Sequence, residues 1–421
     1  MPRKPQPSSK LQRQVEAAGI RARQLHEAGQ YQQALTLCLQ TARRFPGLAA
    51  AWSDAAANCV RLQRWEEAVA HARRARAAGG EDLALFDALS HAHCALGQVE
   101  PMRQAGLAAL QLRDRQFSAL PSWPMPAVVL PPPPSETTRT HNLIAFSLFG
   151  QDVKYCETAV LNAQEQPRLY PHWTCRFYVD DSVPASVQLR LLQAGAQVHR
   201  VDEEVQRWPG PMWRLLALEE PGLHRVLMRD ADSVISQREA AAVQEWLDSG
   251  RYFHALRDNG THTELLLAGL WGAVGGALPP LREMLAAFFA THASSAHFAD
   301  QHFLRRFVWP YARHSLLQHD SQFGFLEARP FPGGAPPTDF HVGCAEGASS
   351  FELAVTLAEG VRVQWSLYRR ENDGDEQQVC RYPAQVEQGR VRGHLPGRYL
   401  AWLRDGSARL QVEAMLESVK R

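Results

Sequence analysis

The chain has 421 residues, 45% of them hydrophobic and 21% charged, with a formal net charge of +1. That length exceeds one ordinary hydrophobic core, so two or three domains are expected, and the near-neutral balance gives no reason to expect a nucleic-acid partner. Seven scattered cysteines without a C-x-x-C pair speak against a disulfide framework or a zinc ribbon and suit a reducing, cytoplasmic compartment.

The start, "MPRKPQPSSKLQRQ", is basic and lacks the apolar core of a signal peptide, so residues 1–14 are read as a disordered basic tail. Next, "GQYQQALTLCLQTARRFP" (29–46) aligns with "QRWEEAVAHARRARAAGG" (63–80) at an offset of 34. Tyr31, Trp65 and Val99 share one repeat position, and Ala34, Ala68 and Met102 another. Gly29 and Gly97 mark turns, and Pro46 ends the first unit. Alanine where helices cross, with an aromatic three residues earlier, suits close helix-pair stacking. The spacing resembles tetratricopeptide repeats, whose period is about 34 residues. About three such repeats are expected over 15–118, the third ("GQVEPMRQAGLAAL") degenerate as a capping unit often is. They imply a docking surface for a protein partner or an acceptor. Residues 119–141 hold seven prolines between positions 121 and 134 and read as an extended linker.

From 142 the pattern turns α/β. "NLIAFSLFG", "TCRFYVDD", "AQVHRV", "HRVLMRD" and "YFHALRD" read as strands. Helices intervene at Tyr155 onward, "PASVQLRLLQAG", "PMWRLLALEE" and "SQREAAAVQEWLDSG", the last opening on a Ser cap with Glu239 three residues on. This alternation predicts a mostly parallel, covered sheet. The uncharged run Leu265–Leu281 is interrupted by glycines and two prolines and falls short of the roughly 20 apolar residues of a membrane span, so no transmembrane segment is expected. Further helices are expected near 279–291 and 300–311, with a strand in "SLLQHDSQFGF". After 345, "FELAVTL", "VRVQWSLYRR", "QQVCRY", "RVRGHL" and "GRYLAWLRD" alternate in short segments, which predicts a small β module over 346–421.

The stretch "HRVLMRDADSVISQRE" (224–239) poses the chemical question. An apolar strand leaves the core by way of Asp230 and Asp232, which alternation projects to one side while Ala231 faces the other. Two carboxylates so close repel, and water, a nearby cation or a metal must offset them. At the carboxyl end of a strand in an open sheet, hard oxygen ligands suit Mg²⁺ or Mn²⁺, either of which neutralises a diphosphate leaving group. Arg229, Arg238 and Arg257 are candidate phosphate contacts. Asp258, His262 and His319-Asp320 also fall at or beyond strand ends.

Asp-x-Asp after the fourth strand of such a domain resembles GT-A-fold glycosyltransferases, and the later order is similar to their retaining, glycogenin-like group. That order is "LLLAGLWG" (265–272), "ADQHFLRRF" (299–307), "LLQHDSQFGF" (316–325) and "HVG" (341–343), within residues 142–345. "RDADS" with "SQRE" also looks like a bacterial group that joins tetratricopeptide repeats to this domain. The resemblance implies that Asp230, Asp232 and His341 bind metal, that Asp230 lies near the nucleotide ribose, and that Asp300 and Gln301 sit near the reacting carbon. It implies a nucleotide-sugar donor, such as a UDP-sugar, and a glycan, lipid-linked or protein acceptor. The group's Lys-Pro-Trp after His-x-Gly is absent, since the chain continues "CAEGASS", so phosphate contacts must come from elsewhere. By location alone, Asp300 and Asp258 are candidate bases, and Arg229, Arg257 and His262 candidate donor contacts.

The expected fold class is therefore multidomain: N-terminal all-α tetratricopeptide repeats, a central α/β GT-A-like domain and a small C-terminal all-β module. Two rivals remain: a nucleotidyltransferase, whose glycine-rich basic signature is missing from "FSLFGQDVKY", and a non-catalytic repeat scaffold.

Overall fold

The repeat period reappears as helix starts. The computed structural model describes residues 9–118, 123–291, 298–334, 340–346, 349–370 and 375–415. Six helices come first: α1 (Ser9–Glu27), α2 (Tyr31–Arg44), α3 (Ala49–Arg61), α4 (Trp65–Ala77), α5 (Leu83–Ala95) and α6 (Val99–Phe117). The second helix of each pair begins at Tyr31, Trp65 or Val99, and Ala34, Ala68 and Met102 are buried. The left-handed residue before each of these helices also recurs: Gly29, Gln63 and Gly97 have φ of 73°, 58° and 67°. Where glycine is missing, Gln63 takes the conformation that a side chain disfavours. Helix α1 starts at Ser9, so the tail expected to be disordered through residue 14 is already helical there; residues 1–8 lie outside the described residues.

The chain continues with β1 (Asn142–Leu148), α7 (Val153–Leu169), β2 (Thr174–Val179), α8 (Ala185–Gln193), β3 (Gln197–Arg200), α9 (Glu203–Gln206), β4 (Arg225–Arg229), α10 (Gln237–Ser249), β5 (Phe253–Arg257) and β6 (Leu270–Val274). Then follow α11 (Leu281–Thr291), α12 (Ala299–Phe303), α13 (Trp309–Ala312), β7 (Leu316–Asp320), β8 (Ser349–Ala354), β9 (Arg362–Arg370), β10 (Glu376–Gln385), β11 (Arg390–Leu395), α14 (Gly397–Arg404) and β12 (Ala408–Ala414). "PMWRLLALEE" forms a 3-10 helix, Gly210–Glu219.

Two compact units result, and they cut across the linear boundaries expected from the sequence. The first comprises Met1–Met125, Phe253–Leu267 and Arg282–Ala335; the second Pro126–Tyr252, Ala268–Leu281 and Pro336–Arg421.

In the first unit, β5 and β7 pair in parallel, and α5 and α6 pack on the segments that follow them. Ser90 donates to the Gly260 carbonyl at 2.6 Å, and Thr263 donates to Asp87 at 2.8 Å. Asp114 accepts from the Trp309 indole at 2.9 Å and from Arg313 at 3.1 Å. Gly106 lies so close to the Phe323 ring that a Cβ there would collide with it. The third repeat is therefore not a solvent-facing cap. Its departure from the pattern reflects residues such as Gly106 and Asp114 that serve this packing. "NGT" (259–261) belongs to the same packed loop.

In the second unit the strand order is β3-β2-β1-β4-β6. The first four run parallel, whereas β6 is antiparallel to β4, so the sheet is mixed where the sequence suggested mostly parallel pairing. Every residue of β1, β2, β4 and β6 is buried, as a sheet covered on both faces requires. The Arg225 side chain at the start of β4 donates to the Pro131 and Pro132 carbonyls at 2.9 and 2.7 Å, which pins the proline-rich linker. Beyond 345, β10-β9-β12 and β11-β8 form two small antiparallel sheets. "GRYLAWLR", expected as a strand, is helix α14: Tyr399 and Trp402, one turn apart, stack at 4.6 Å. This module is tied to α7 and α8 by the fully buried Glu157, which accepts from Arg190 at 2.7 Å and from the Tyr382 hydroxyl at 2.6 Å.

Candidate active site

Strand order locates the candidate site in the second unit. β2 lies on one side of β1 and β4 on the other: the chain runs outward from β1 through β2 to β3 and then crosses back to β4. Such a switch opens a crevice at the carboxyl ends of the two strands, the usual ligand position in open α/β sheets. Asp230 and Asp232 lie just beyond β4, and Lys154 lies in the first turn of α7 just beyond β1. The expected alternation holds: Asp230 is exposed, Ala231 buried and Asp232 half-buried.

Each carboxylate has a cation. Lys154 Nζ lies 2.9 Å from Asp232 Oδ2, and Arg214 lies 2.5 Å from Asp230 Oδ1. The Arg214 side chain is 4% exposed and that of Asp230 51%, so the guanidinium is seated from below while the carboxylate keeps an open side. Arg214 also donates to the Arg229 carbonyl at 2.7 Å. Burial works against the Lys154 ammonium, but its bond to Asp232 and its contact with Tyr155 outweigh that and raise its pKa. Lys154 and Arg214 were not singled out from the sequence. The lysine of "GQDVKY" carried a signal, a cation directly after β1; Arg214 carried none, because only the 3-10 helix brings it here.

The backbone around the pair is held firmly. Buried Asn162 donates to the Ser233 carbonyl at 2.7 Å and accepts from the Ile235 amide at 2.9 Å. Gly269 abuts Asp230 so tightly that a Cβ would overlap the carboxylate. His341-Val342-Gly343 forms a turn in which Gly343 adopts φ of 84° against Leu270. The Glu346 amide donates to the Asp232 carbonyl at 2.9 Å, and Ala345 bridges to Ser233. The His-x-Gly segment thus leads directly alongside the Asp-x-Asp loop. His341 Nδ1 lies 3.1 Å from the Val342 carbonyl, to which it donates.

In kind, Asp230, Asp232 and His341 fit a hard divalent ion. Their donor atoms are not, however, among those that gather three together within 4.8 Å; in the described residues the only such group lies in the repeats. Charge balance here comes from Lys154 and Arg214.

Two expected phosphate contacts are corrected. Arg229, 1% exposed, sends Nε to Glu239 at 2.7 Å and Nη1 to the Met228 and Trp271 carbonyls at 2.7 and 3.1 Å. Alternation turns it away from Asp230, into a strut beneath α10. Glu239, expected to complete a capping box, is taken up by Arg229 and by the Tyr170 hydroxyl at 3.0 Å, while Ser236 alone caps the helix. Arg257, also 1% exposed, donates to Gln318 Oε1 at 2.5 Å and to the Glu264 and Leu265 carbonyls. Burial lowers its pKa to about 10 against Asp320 and Glu264. Neither guanidinium is presented to a ligand.

Arg257 belongs to the first unit, as do Asp258, His262, Asp300 and Gln301, all buried. His262 Nδ1 accepts from the Asp258 amide at 3.0 Å. Asp300 Oδ1 accepts from the Gln301 amide at 2.8 Å, and Gln301 donates to the Leu266 carbonyl at 2.5 Å. His319 contacts His254 at 3.0 Å, and both are fully buried.

No family model and no curated protein matches the chain. Among solved structures, an O-GlcNAc transferase mutant from Thermobaculum terrenum is similar at 17% identity over 48% of this chain and 48% of that one, with a TM-score of 0.27. Glucosyl-3-phosphoglycerate synthase from Mycobacterium tuberculosis, in complex with phosphoglyceric acid, is similar at 13% identity over 52% of this chain and 82% of that one, with a TM-score of 0.29. The chain spans about half the length of the first of these. Likenesses this weak carry no argument about this chain. No helix among the described residues is long and apolar enough to cross a membrane.

Proposed function

We propose that the second unit houses a nucleotide-sugar site and that the protein is a GT-A-type glycosyltransferase. It moves a sugar from a donor such as a UDP-sugar to a glycan, lipid-linked or protein acceptor, with the tetratricopeptide-like repeats serving as a docking surface. One observation carries the reading: Asp230 and Asp232, each paired with a cation, sit at the switch point between β1 and β4.

Mn²⁺ or Mg²⁺ would be held by Asp230 and Asp232 with His341 as a third ligand; when bound it neutralises the diphosphate and makes it a better leaving group. Lys154 and Arg214 add fixed positive charge where the diphosphate departs, in a partly dry crevice where such charges act strongly. Asn162 holds the Asp-x-Asp loop against recoil, and Gly269 leaves Asp230 room to face the crevice.

The test is incubation with a panel of nucleotide sugars and Mn²⁺, comparing the protein with Asp232→Asn. Release of the nucleoside diphosphate that depends on Asp232 supports transfer. Pyrophosphate from nucleoside triphosphates would instead mark a nucleotidyltransferase. Neither turnover nor nucleotide binding would leave the scaffold reading in its place.

A further inference from the structure

The repeats hold a cluster for which docking gives no use. Cys59 ends α3's buried face, and Glu67 and His71 lie one turn apart on α4. One donor atom of each falls within 4.8 Å of the other two. The spacing of four residues puts Glu67 and His71 on the same side of their helix, and the tight turn between α3 and α4 brings Cys59 to meet them.

Three details make this more than chance proximity. His71 Nδ1 is buried with no hydrogen-bond partner among the described residues, a costly state for a ring nitrogen unless something else takes it up. The imidazole is also held in orientation: Trp52 stacks on it at 5.7 Å with planes 24° apart, and the Trp52 indole is itself tied to the Pro46 carbonyl at 3.1 Å. Finally, Glu67 is exposed, so its carboxylate is free to swing towards the two more deeply set donors.

We propose that the second helix pair binds a divalent transition-metal ion of the zinc class through Cys59 Sγ, the Glu67 carboxylate and the His71 imidazole. The donor set decides the class. Thiolate with imidazole suits zinc and its neighbours, whereas magnesium and calcium prefer oxygen alone. Zinc bond lengths place tetrahedral donors about 3.5 Å apart, inside the 4.8 Å that bounds the present separations, and the exposed Glu67 is the donor with most room to adjust. A fourth position is left for water. Burial, then Arg74, lowers the His71 pKa, so the ring arrives neutral, the form that ligates. Burial, then Glu67, pushes the Cys59 thiol up to about 11, so binding must release its proton to solvent. Bound there, the ion clips α3 to α4 and stiffens the second repeat.

Cobalt(II) alone is the probe, added to the full chain. The expected result is one tightly bound ion per chain showing sulfur-to-cobalt charge transfer in the near ultraviolet and tetrahedral d–d absorption in the visible. Cys59→Ser should remove the charge-transfer band. His71→Gln should weaken binding at least about tenfold, the lower end of what losing even an outer-shell partner costs. A wild-type protein with no thiolate band, or a band that persists in Cys59→Ser and so belongs to another cysteine, overturns the proposal. Should Cys59→Ser misfold by circular dichroism, His71→Gln and Glu67→Gln decide, and unchanged affinity in both rejects the site. Asp230 and Asp232 cannot produce a thiolate band, so this result stands apart from the glycosyltransferase test.

Discussion

Two charged clusters in this protein use the same residue types to opposite ends. In the first unit, Arg113 grips Asp87 at 2.6 Å and Glu264 at 3.1 Å, and Glu264 also pairs with Arg305. The Arg113 side chain is 3% exposed, and each of its acids has another donor besides, Thr263 for Asp87 and Arg305 for Glu264. In the second unit, Asp230 and Asp232 each take one cation among the described residues and keep 51% and 24% of their side chains exposed. Built around one buried guanidinium, the first cluster locks α5 and α6 to the segments around β5, with Asp87 27% and Glu264 16% exposed. Half-satisfied and open, the second leaves carboxylate oxygens for something outside the protein. Spare coordination at an exposed strand end distinguishes a candidate site from a clamp, and charge density alone does not.

Breaking the clamp should have the largest effect. Arg113→Ala removes a buried guanidinium that bridges two partly exposed carboxylates, and with Thr263 and Arg305 still serving them the loss should lie at the lower end of the about 3–5 kcal/mol of a broken buried pair. Thermal unfolding should register this as a large drop in Tm. An unchanged Tm would mean that water, and not Arg113, balances Asp87 and Glu264.

The open cluster should respond the other way round. Asp232→Asn should lower transfer by about 10²–10³-fold, comparable to removing one preorganised electrostatic group. Its stability should shift by no more than about 1 kcal/mol, because a partly exposed ion pair contributes little. Activity measured beside a melting curve separates the two; a large Tm loss with intact transfer would make the Asp232–Lys154 pair structural. Gly269→Ala comes next. Its methyl meets the Asp230 carboxylate, and overpacking costs about 1–3 kcal/mol. Transfer should fall roughly in step, while Gly47→Ala, with open space around it and an ordinary φ, should leave transfer intact.

This contrast also explains what could be read from the chain in advance. The repeat phase was legible because Tyr31, Trp65 and Val99 mark helix starts by local spacing. Asp230 and Asp232 were legible because an apolar strand must end somewhere, and two acids across one small residue mark that end. Arg229 and Arg257 misled, since a strand-end arginine looks alike whether it faces a phosphate or burrows under a helix; only Glu239 and Gln318, distant in sequence, reveal which. Arg214 was invisible for the same reason. The antiparallel course of β6 was hidden in a run whose burial on both faces erases alternation. Helix α14 was missed because its apolar residues also satisfy a short alternating pattern.

The smallest expected effect is a pH dependence confined to the clamp. His91 on α5 faces this cluster, and burial lowers its pKa from the ordinary 6.5. Arg113 and Arg61 push the same way, while Asp87 and the Thr261 backbone oppose them. Folded His91 therefore takes up its proton at lower pH than the unfolded chain does. Between the two values the unfolded chain holds more protons, so stability rises with pH. His91's contribution is complete above about pH 6.5 and is lost as the pH falls through the folded value. The slope from this one group is at most about 1.4 kcal/mol per pH unit. Melting curves from about pH 8 to about pH 5, a range in which an ordinary histidine titrates, should fall less steeply for His91→Gln than for the unaltered protein, whatever the offset between them. Parallel curves would mean that His91 binds its proton equally well folded and unfolded, with Asp87 and the Thr261 backbone offsetting burial in full.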